Sequence, residues 1–327
     1  MGRPRLLIVA DDLTGALDSA AAFAARGLKT AVARHPGALS ALPADAQIVA
    51  VSTASREGTV ADARRAIDAV AAASLHPQRV FKKVDSRLKG HVAAETDALA
   101  RAFGMDRALV CPAVPLLGRT VENGAVTGAG VDRPIRVAPA FAACSQTVEV
   151  CDATVQADLD QVVARAGDAL LVGAAGLSLA LAEDMAATPP AAPPFGEPIL
   201  FAIGSRDPVT MEQIDKLLGT AGEPCAGVSL MRQTSAVAED VAASGMRFAA
   251  DVAAAIRATC PATVLACGGE TANAILAILG IDILELHGEA LPGVPVSSAG
   301  PFTLLTKSGG FGGPSLLSDI ARKAAAP

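Results

Sequence analysis

Aromatic residues are scarce in this sequence, which has no tryptophan and no tyrosine and an aromatic fraction of only 3%. Its formal net charge is −6 at pH 7. A surface that binds nucleic acid usually combines a basic patch with aromatic side chains that stack on the bases. The composition therefore argues against nucleic acid as a partner, and we expect an enzyme that acts on a small molecule.

Long hydrophobic runs are also missing, although hydrophobic residues make up 51% of the chain. No run approaches the roughly 18 apolar residues that indicate a membrane-spanning helix. The first apolar run, LLIVA (6–10), ends in two acids and is too short for the core of a signal peptide. The six cysteines include no C-x-x-C pair of the kind found in zinc and redox sites. We therefore expect a cytoplasmic protein that has no membrane partner.

The length of 327 residues and the order of the predicted elements favour two α/β domains. Apolar runs such as LLIVA (6–10) and ILFAIGS (199–205) alternate with helical patterns, which predicts mainly parallel sheets flanked by helices. Five prolines in TPPAAPPFGEP (188–198) are incompatible with a helix or a central strand and predict a linker. We therefore assign residues 1–187 to one domain and residues 199–327 to the other.

Two adjacent acids, Asp11 and Asp12, follow the first apolar run directly. Neighbouring side chains on a strand point to opposite faces, so we expect one acid to face a cleft and the other to brace a helix start or a lysine. A phosphatase of the haloacid dehalogenase type is an alternative, but it requires the motif D-x-D-x-T. Leu13 occupies the position of the second acid of that motif and cannot replace it.

Cations cluster at other predicted strand ends of the same domain. The stretch FKKVDSRLKGHVAAE (81–95) lies between a predicted strand and a predicted helix, Arg56 follows another strand, and Arg119 lies near a turn-prone segment that predicts a hairpin or flap. Arginine can hold a carboxylate with two parallel hydrogen bonds. Cations that face an acidic pair suit an anionic substrate whose hydroxyl must lose a proton. The alternative is a solvated loop in which Asp85 or Ser86 caps a helix.

Three glycine-bearing turns follow predicted strands of the second domain, in GSRDPVTMEQI (204–214), ACGGETANAIL (266–276) and KSGGFGG (307–313). Glycine lets the backbone approach a ligand, and the free N–H groups at a helix start favour anions. Three such turns at the carboxyl ends of strands predict a phosphate-binding crevice. Neither a Walker A motif nor G-x-G-x-x-G occurs at these turns, so the common nucleotide-binding folds are not supported. Lys307 could meet a phosphate or extend its charge into solvent.

Eight stretches in order carry a resemblance to a known family: ADDLTGALD, SRE, KKVDSRLKGHVAAE, CPAVPLLGRTVENG, LLVGAAGLSLALA, GSRDPVTMEQI, GGETANAI and PGVPVSSAGPFTLLTKSGGFGGP. The chain resembles the four-carbon acid sugar kinases, which use ATP to phosphorylate acids such as threonate, erythronate and 3-oxo-tetronates. The resemblance implies a sugar-acid-binding first domain, an ATP-binding second domain and an active site in the cleft between them. It also implies transfer of the γ-phosphoryl group to a hydroxyl of the acid, with magnesium, in sugar-acid catabolism.

The resemblance also assigns roles to particular residues. On the substrate side these are Asp11, Asp12, Arg56, Lys82, Asp85 and Ser86, and the charges of the 81–95 stretch add Lys83 and Arg87. On the nucleotide side they are Ser205, Gly268, Gly269, Glu270, Thr271, Gly309 and Gly310. Asp12 ranks before Asp11 and Asp85 as the general base, and Glu270 either faces magnesium through water or only favours a helix start. The sequence identifies no metal ligands.

Two departures from the family concern the substrate. The common family pattern around Asp85 is K-V-D-S-T-L-R-G-N, so Arg87, Lys89 and His91 replace a threonine, an arginine and an asparagine. The chain is also shorter than the family leads us to expect, mainly after Gly124 and at the linker. We therefore expect an acid other than plain threonate, such as a 3-oxo or branched acid. A sensor that binds a sugar acid without chemistry is the second alternative, and a homodimer stays open.

Overall fold

The computed structural model describes residues 3–186, 188, 193–219, 222–233 and 241–325. The chain divides into two compact units, Met1–Pro190 and Ala191–Pro327. Part of the predicted linker lies outside the described residues, and the domain limits inferred from the sequence stay predictions. Each unit is an α/β structure, as the alternation of apolar runs and helical patterns predicts.

A parallel sheet forms the centre of the first unit. The strands of this unit are β1 (Leu6–Ala10), β2 (Thr30–Ala33), β3 (Ile48–Ser52), β4 (Arg79–Lys83), β5 (Arg107–Cys111), β6 (Arg119–Glu122), β7 (Ala125–Gly128), β8 (Ile135–Arg136), β9 (Thr147–Val150) and β10 (Leu170–Gly173). Within residues 3–186, seven of them pair in the order β2-β3-β1-β4-β10-β5-β9, and these pairings are parallel. Strands β6, β7 and β8 form a separate antiparallel sheet, which confirms the predicted hairpin.

Helices connect the parallel strands of the first unit. They are α1 (Leu13–Ala24), α2 (Val60–Ala72), α3 (Val92–Ala102), α4 (Val137–Ala140), α5 (Gln156–Ala164) and α6 (Ala175–Met185), with short 3-10 helices at Pro36–Ala41 and Pro115–Leu117. Helix α2 illustrates how the local sequence specifies a helix of this unit. Ala63, Ile67 and Val70 are buried on one face, and a capping box between Thr59 and Asp62 fixes its start.

A mixed sheet forms the centre of the second unit. Its strands are β11 (Ile199–Ile203), β12 (Val228–Arg232), β13 (Thr263–Cys267), β14 (Ile283–Leu291), β15 (Val294–Ala299) and β16 (Phe302–Lys307), and its helices are α7 (Pro208–Leu218), α8 (Val241–Thr259), α9 (Gly269–Leu279) and α10 (Leu316–Ala324). The order is β12-β11-β13-β16-β15-β14. The first four strands are parallel, and β14 and β15 run antiparallel to their neighbours.

Four of the parallel strands, β1, β3, β11 and β13, are apolar runs buried along their whole length. At the edges of the two parallel regions, β9 and β12 are partly exposed. In contrast, β14 alternates between buried and more exposed positions, which is typical of an antiparallel strand with one covered face. Because this alternation gives a weaker apolar signal, the sequence alone does not indicate β14. Among the described residues no helix is both long and apolar enough to cross a membrane.

Candidate active site

The predicted substrate residues lie at the carboxyl ends of three neighbouring strands in the first unit. The register pairs Ala10 of β1 with Ser52 of β3 on one side and with Lys83 of β4 on the other. Because these strands are parallel, the segments that follow them leave the sheet at the same edge, where ligands bind in open α/β sheets. The structure therefore brings together the segments that contain Asp11, Arg56 and Lys83.

Asp11 forms a buried ion pair with Arg56. Arg56 Nε donates to Asp11 Oδ2 at 2.9 Å, and Nη2 donates to Oδ1 at 2.7 Å. Burial by itself would raise the pKa of the Asp11 carboxyl, but the hydrogen bond from Arg56 and the nearby positive charges hold that pKa below its usual range. Asp11 is therefore ionised at neutral pH. Arg56, which the sequence suggests for a substrate carboxylate, binds a carboxylate of the protein itself.

Asp12 caps the first helix instead of extending a strand. Its Oδ1 accepts the N–H of Gly15 at 2.7 Å, and its Oδ2 accepts Arg56 Nη1 at 2.6 Å. A Cβ atom at position 15 would lie 2.6 Å from Asp12 Oδ1 and 2.9 Å from Lys83 Nζ, so a larger residue here would displace the Asp12 cap and the Lys83 ammonium. The expectation that one acid of the pair braces a helix start is confirmed, and both oxygens of Asp12 have donors.

Lys82 is fully buried beneath this edge of the sheet. Its Nζ donates to the main-chain oxygen of Lys83 at 2.8 Å and lies 3.3 Å from Glu95 Oε2. The other oxygen of Glu95 accepts the hydroxyls of Ser55, at 2.5 Å, and Thr53, at 3.2 Å. A buried charge is tolerated when it is paired and hydrogen-bonded. In this structure Lys82 therefore supports the strand ends and does not face outward.

Lys83, the next residue, has a different environment. The residue is 6% exposed, and within the described part of the chain its ammonium makes no hydrogen bond or ion pair. Its charge still acts on nearby acids: burial raises the pKa of Asp18, and the positive charge of Lys83 opposes that rise. The same charge contributes to the lowered pKa of Asp11. Lys83 is thus a largely buried cation with donors available for an anionic ligand.

The loop after β4 holds the next group of predicted residues. Asp85 Oδ1 accepts the N–H of Arg87 at 2.8 Å, which fixes a turn. Ser86 Oγ accepts a hydrogen bond from Arg119 Nη1, so the antiparallel sheet supplies an arginine to this loop. The Arg87 side chain is exposed and donates to the main-chain oxygen of Gly130 at 3.4 Å. Asp85 and Ser86 therefore lie together, with Arg87 at the surface beside them.

The other two departures from the family pattern lie on the outer side of the same loop. Lys89 is exposed, and His91 Nε2 lies 2.7 Å from the main-chain oxygen of Gly58. Between them, Gly90 has a φ of +84°, and a Cβ atom there would lie 3.0 Å from Asp11 Oδ2. This glycine lets the loop approach the Asp11 carboxylate closely.

The three glycine turns of the second unit meet at the carboxyl ends of the adjacent strands β11, β13 and β16. A Cβ atom on Gly204 would lie 1.9 Å from Thr271 Oγ1, and one on Gly309 would lie 2.2 Å from Ser205 Oγ. A Cβ atom on Gly268 would lie 3.7 Å from the Ser205 nitrogen. Such spacings require glycine at 204 and 309. The structure thus brings the predicted nucleotide residues into one cluster.

Two helices begin at this cluster. Gly268, with a φ of +109°, is the N-cap of α9, Gly269 is its first residue, and the exposed Glu270 lies in its first turn. Asp207 caps α7, and a Cβ atom on Gly310 would lie 3.0 Å from its Oδ2. The first N–H groups of a helix lack partners within the helix and favour an anion. Two helix starts and a glycine loop can therefore hold phosphate groups.

The sequence alone does not indicate the positions and partners of three residues in this region, Lys307, Thr210 and Gln213. The expectation that Lys307 could extend into solvent is wrong, since only 1% of it is exposed. Its partners include Thr210 on α7, and Gln213 lies one turn further along the same helix. Thr210 and Gln213 are both fully buried. The available signal was their helical spacing with the buried Ile214, because polar residues in an apolar helix stripe need partners.

No group of three or more histidine, cysteine, aspartate and glutamate side chains in the described residues is arranged to hold a metal ion. This does not conflict with magnesium, which commonly uses one or two carboxylates, several waters and the phosphates of a bound nucleotide. Asp207 and Glu270 are the carboxylates at the glycine turns. They fit that limited role.

Two family models match separate parts of the chain. Residues 6–136 match the family model of a sugar-binding N-terminal domain, and residues 226–317 match that of a nucleotide-binding C-terminal domain. The first range contains the Asp11–Arg56 pair and the loop after β4. The second contains the turns at Gly268 and Gly309.

Similar proteins extend over nearly the whole chain. A D-threonate kinase of Bordetella bronchiseptica is 30% identical over 394 residues, which cover 95% of each chain. A 3-oxo-tetronate kinase of Pseudomonas fluorescens is 28% identical over 415 residues, again covering 95% of each chain. A crystal structure from Salmonella typhimurium LT2 is 20% identical, covers 98% of each chain and has a TM-score of 0.79. This last likeness concerns the fold alone.

Proposed function

Because the chain belongs to the four-carbon acid sugar kinase family, we propose that it transfers the γ-phosphoryl group of ATP to a hydroxyl of an acid sugar of about four carbons. The observation that carries the proposal is the convergence of three glycine turns and two helix starts in the second unit. Phosphoryl transfer asks a protein mainly to position phosphates and neutralise their charge. A cluster of backbone N–H donors is suited to that work.

For the nucleotide we propose contacts with Ser205, with Gly268 through Thr271, and with Gly309 and Gly310. The close approaches of Gly204 and Gly309 to their neighbours support one continuous site. Magnesium bound with the nucleotide would supply positive charge at the transferred phosphoryl group. Asp207 and Glu270 are the side chains of this chain that we propose to face it, directly or through water.

For the acid sugar we propose Lys83 as the principal cation, because its ammonium has no partner among the described residues. Asp85 and Ser86 lie in the loop that follows it. Arg56 and Lys82 contribute indirectly, since one holds Asp11 and the other holds Glu95. They are proposed to keep the strand ends in position.

The general base is proposed to be Asp85. A base must lie within hydrogen-bond reach of the hydroxyl it serves and must have an oxygen available. Both oxygens of Asp12 already accept hydrogen bonds, and both oxygens of Asp11 accept hydrogen bonds from the Arg56 guanidinium. Asp85 uses one oxygen for the turn at Arg87, and its other oxygen accepts no hydrogen bond from the described residues. These contacts favour Asp85 over Asp12, which ranks first on sequence alone.

Transfer requires the hydroxyl bound by one domain to reach the γ-phosphoryl group bound by the other. The proposal therefore includes an active site in the cleft between the domains, with closure of the domains over the bound substrates.

The test is an ADP-release assay over threonate, erythronate, 3-oxo-tetronates and branched acids, with ATP and magnesium. ADP release that depends on one of these acids supports the kinase. A folded protein that binds an acid but releases no ADP with any of them would support the sensor instead. Phosphate release from phosphorylated acids without ATP would support a phosphatase, although Leu13 is buried where that mechanism requires an acid.

A further inference from the structure

Buried side chains donate hydrogen bonds to the main-chain carbonyl groups of the glycine loop after β16. Lys307 Nζ donates to the oxygen of Ser308 at 3.0 Å and to that of Gly309 at 2.9 Å. Thr210 Oγ1 donates to the same oxygen of Gly309 at 2.6 Å, and Lys307 Nζ donates to this hydroxyl at 3.1 Å. Gln213 Nε2 continues the pattern with the oxygens of the next residues, at 3.0 Å to Phe311, 3.2 Å to Gly312 and 3.0 Å to Gly313.

These donors come from two elements that the chain brings together over a long distance. Thr210 and Gln213 lie on one face of α7, whereas Lys307 ends β16, and Thr210 and Gly309 are separated by 99 positions in the sequence. All three donor side chains are almost fully buried. Burying a polar group is costly unless it is hydrogen-bonded. The hydrogen bonds to the loop carbonyls therefore offset the cost of burying these three side chains.

Lys307 makes this arrangement unusual, because its ammonium is bonded only to neutral acceptors. Besides the two carbonyls and the Thr210 hydroxyl, it lies 3.7 Å from Cys267 Sγ, and no carboxylate of the described residues forms an ion pair with it. Burial lowers the pKa of Lys307, while Cys267 and the charge of Asp207 oppose that shift. A buried cation without a counter-ion is expensive unless an anion binds nearby.

Two backbone N–H groups of the loop remain available to such an anion. Among the described residues, no acceptor takes the backbone N–H of Gly309 or of Gly310. A peptide unit that turns its carbonyl group inward turns the next N–H group outward. Successive N–H groups oriented in this way form a concave anion site.

We propose that Lys307 is a positioning residue for nucleotide binding: with Thr210 and Gln213 it draws the carbonyls of residues 308, 309 and 311–313 inward, so that the N–H groups of Gly309 and Gly310 point toward a phosphate. Its buried charge lies behind these donors and adds to their attraction for the anion. The proposal deepens the proposed function and rests on it, because it assumes that this loop binds ATP.

The experiment compares two conservative variants at Thr210 and one at Lys307. Thr210→Val removes the hydroxyl with little change of volume, Thr210→Ser keeps it, and Lys307→Met removes the charge with a similar length. Hydrogen bonds to charged groups have larger net effects than neutral ones, so we expect Lys307→Met and Thr210→Val to raise the Kd of ATP by about tenfold or more. Thr210→Ser is expected to stay within about threefold of wild type.

Binding is measured by titration calorimetry with ATP and magnesium, and each variant is first shown to be folded by its thermal unfolding. Steady-state kinetics with an accepted acid should place the loss in KM for ATP, with kcat and the KM of the acid nearly unchanged. A role limited to stability would lower the unfolding temperature and leave the ATP affinity of the folded variants intact. If Lys307→Met does not fold, the contrast between Thr210→Val and Thr210→Ser decides.

Equal ATP affinity of folded Thr210→Val and wild type would overturn the inference and leave the proposed function standing. A wild-type protein that binds no ATP would overturn both.

Discussion

Replacing Gly309 by alanine is expected to separate two of the glycine turns that form the nucleotide cluster. The new Cβ atom would lie 2.2 Å from Ser205 Oγ, 3.1 Å from Ser205 Cβ and 3.3 Å from Asp207 Cβ. Ordinary contact begins at 3.4 Å, so Ser205 Oγ must rotate away and the two Cβ atoms, which cannot, require the loop and the Ser205 turn to move apart by a few tenths of an ångström. Overpacking typically costs about 1–3 kcal/mol of stability. Where bound ATP requires the original spacing of the two turns, the same free energy lowers ATP affinity by roughly 5- to 150-fold.

The same loop contains a matched control. At Gly313 an added Cβ atom would meet nothing within 4 Å, and neither Gly309 nor Gly313 has a positive φ. Gly313→Ala therefore adds the same methyl group to the same loop without the clash. Its unfolding free energy and ATP affinity are expected to change by no more than about 0.5 kcal/mol.

The assay is calorimetric titration of ATP with magnesium into folded Gly309→Ala, Gly313→Ala and wild type. A second background tests the stated cause, since Ser205→Ala removes the Oγ atom that makes the closest contact. In that background Gly309→Ala is expected to cost less than it does alone, as expected for neighbouring residues that share one contact. Wild-type ATP affinity in folded Gly309→Ala would refute the reasoning, and so would equal losses in Gly309→Ala and Gly313→Ala.

Three further predictions concern the first unit. Asp85→Asn is expected to lower kcat by about 100-fold or more through loss of the general base, with ATP affinity kept, whereas Asp12→Asn should retain most turnover. The reverse pattern in steady-state kinetics would make Asp12 the base. Glu95→Gln leaves the buried ammonium of Lys82 without a counter-ion, so the unfolding free energy measured in urea should fall by about 3 kcal/mol. A loss well below about 1 kcal/mol would mean that the pair is not buried as described. Arg87→Thr is expected to change the ratios of kcat/KM among the four-carbon acids by less than about threefold, because this side chain is exposed. A larger change would assign Arg87 to the substrate pocket.

Local patterns determined much of the architecture. The buried parallel strands β1, β3, β11 and β13 follow apolar runs, and β1 and β11 begin at Leu6 and Ile199, where the predicted runs begin. The predicted hairpin is present as the β6-β7-β8 sheet. These elements were readable because burial on both faces requires apolar side chains at every position, which a short window of sequence reveals.

Elements with weaker local signals were missed. Strands β14 and β15 are antiparallel and lack the continuous apolar runs of the buried parallel strands. The cap that starts α1 is Asp12, whose carboxylate was interpreted first as catalytic. A capping acid and a catalytic acid look alike in a sequence, because both are polar residues at the end of an apolar run.

The sequence indicated which residues lie at the strand ends, but not the contacts that each of them makes. Lys82 and Lys83 are neighbours with the same side chain, yet only Lys82 reaches Glu95, and Lys83 retains an ammonium with no partner among the described residues. Similarly, the sequence places Lys307 beside glycines, whereas the fold turns it beneath them toward Thr210. Sequence determines which charged and glycine residues end the strands, since that depends on local periodicity. Which partner each side chain meets depends on contacts between distant segments, and only the tertiary structure decides those.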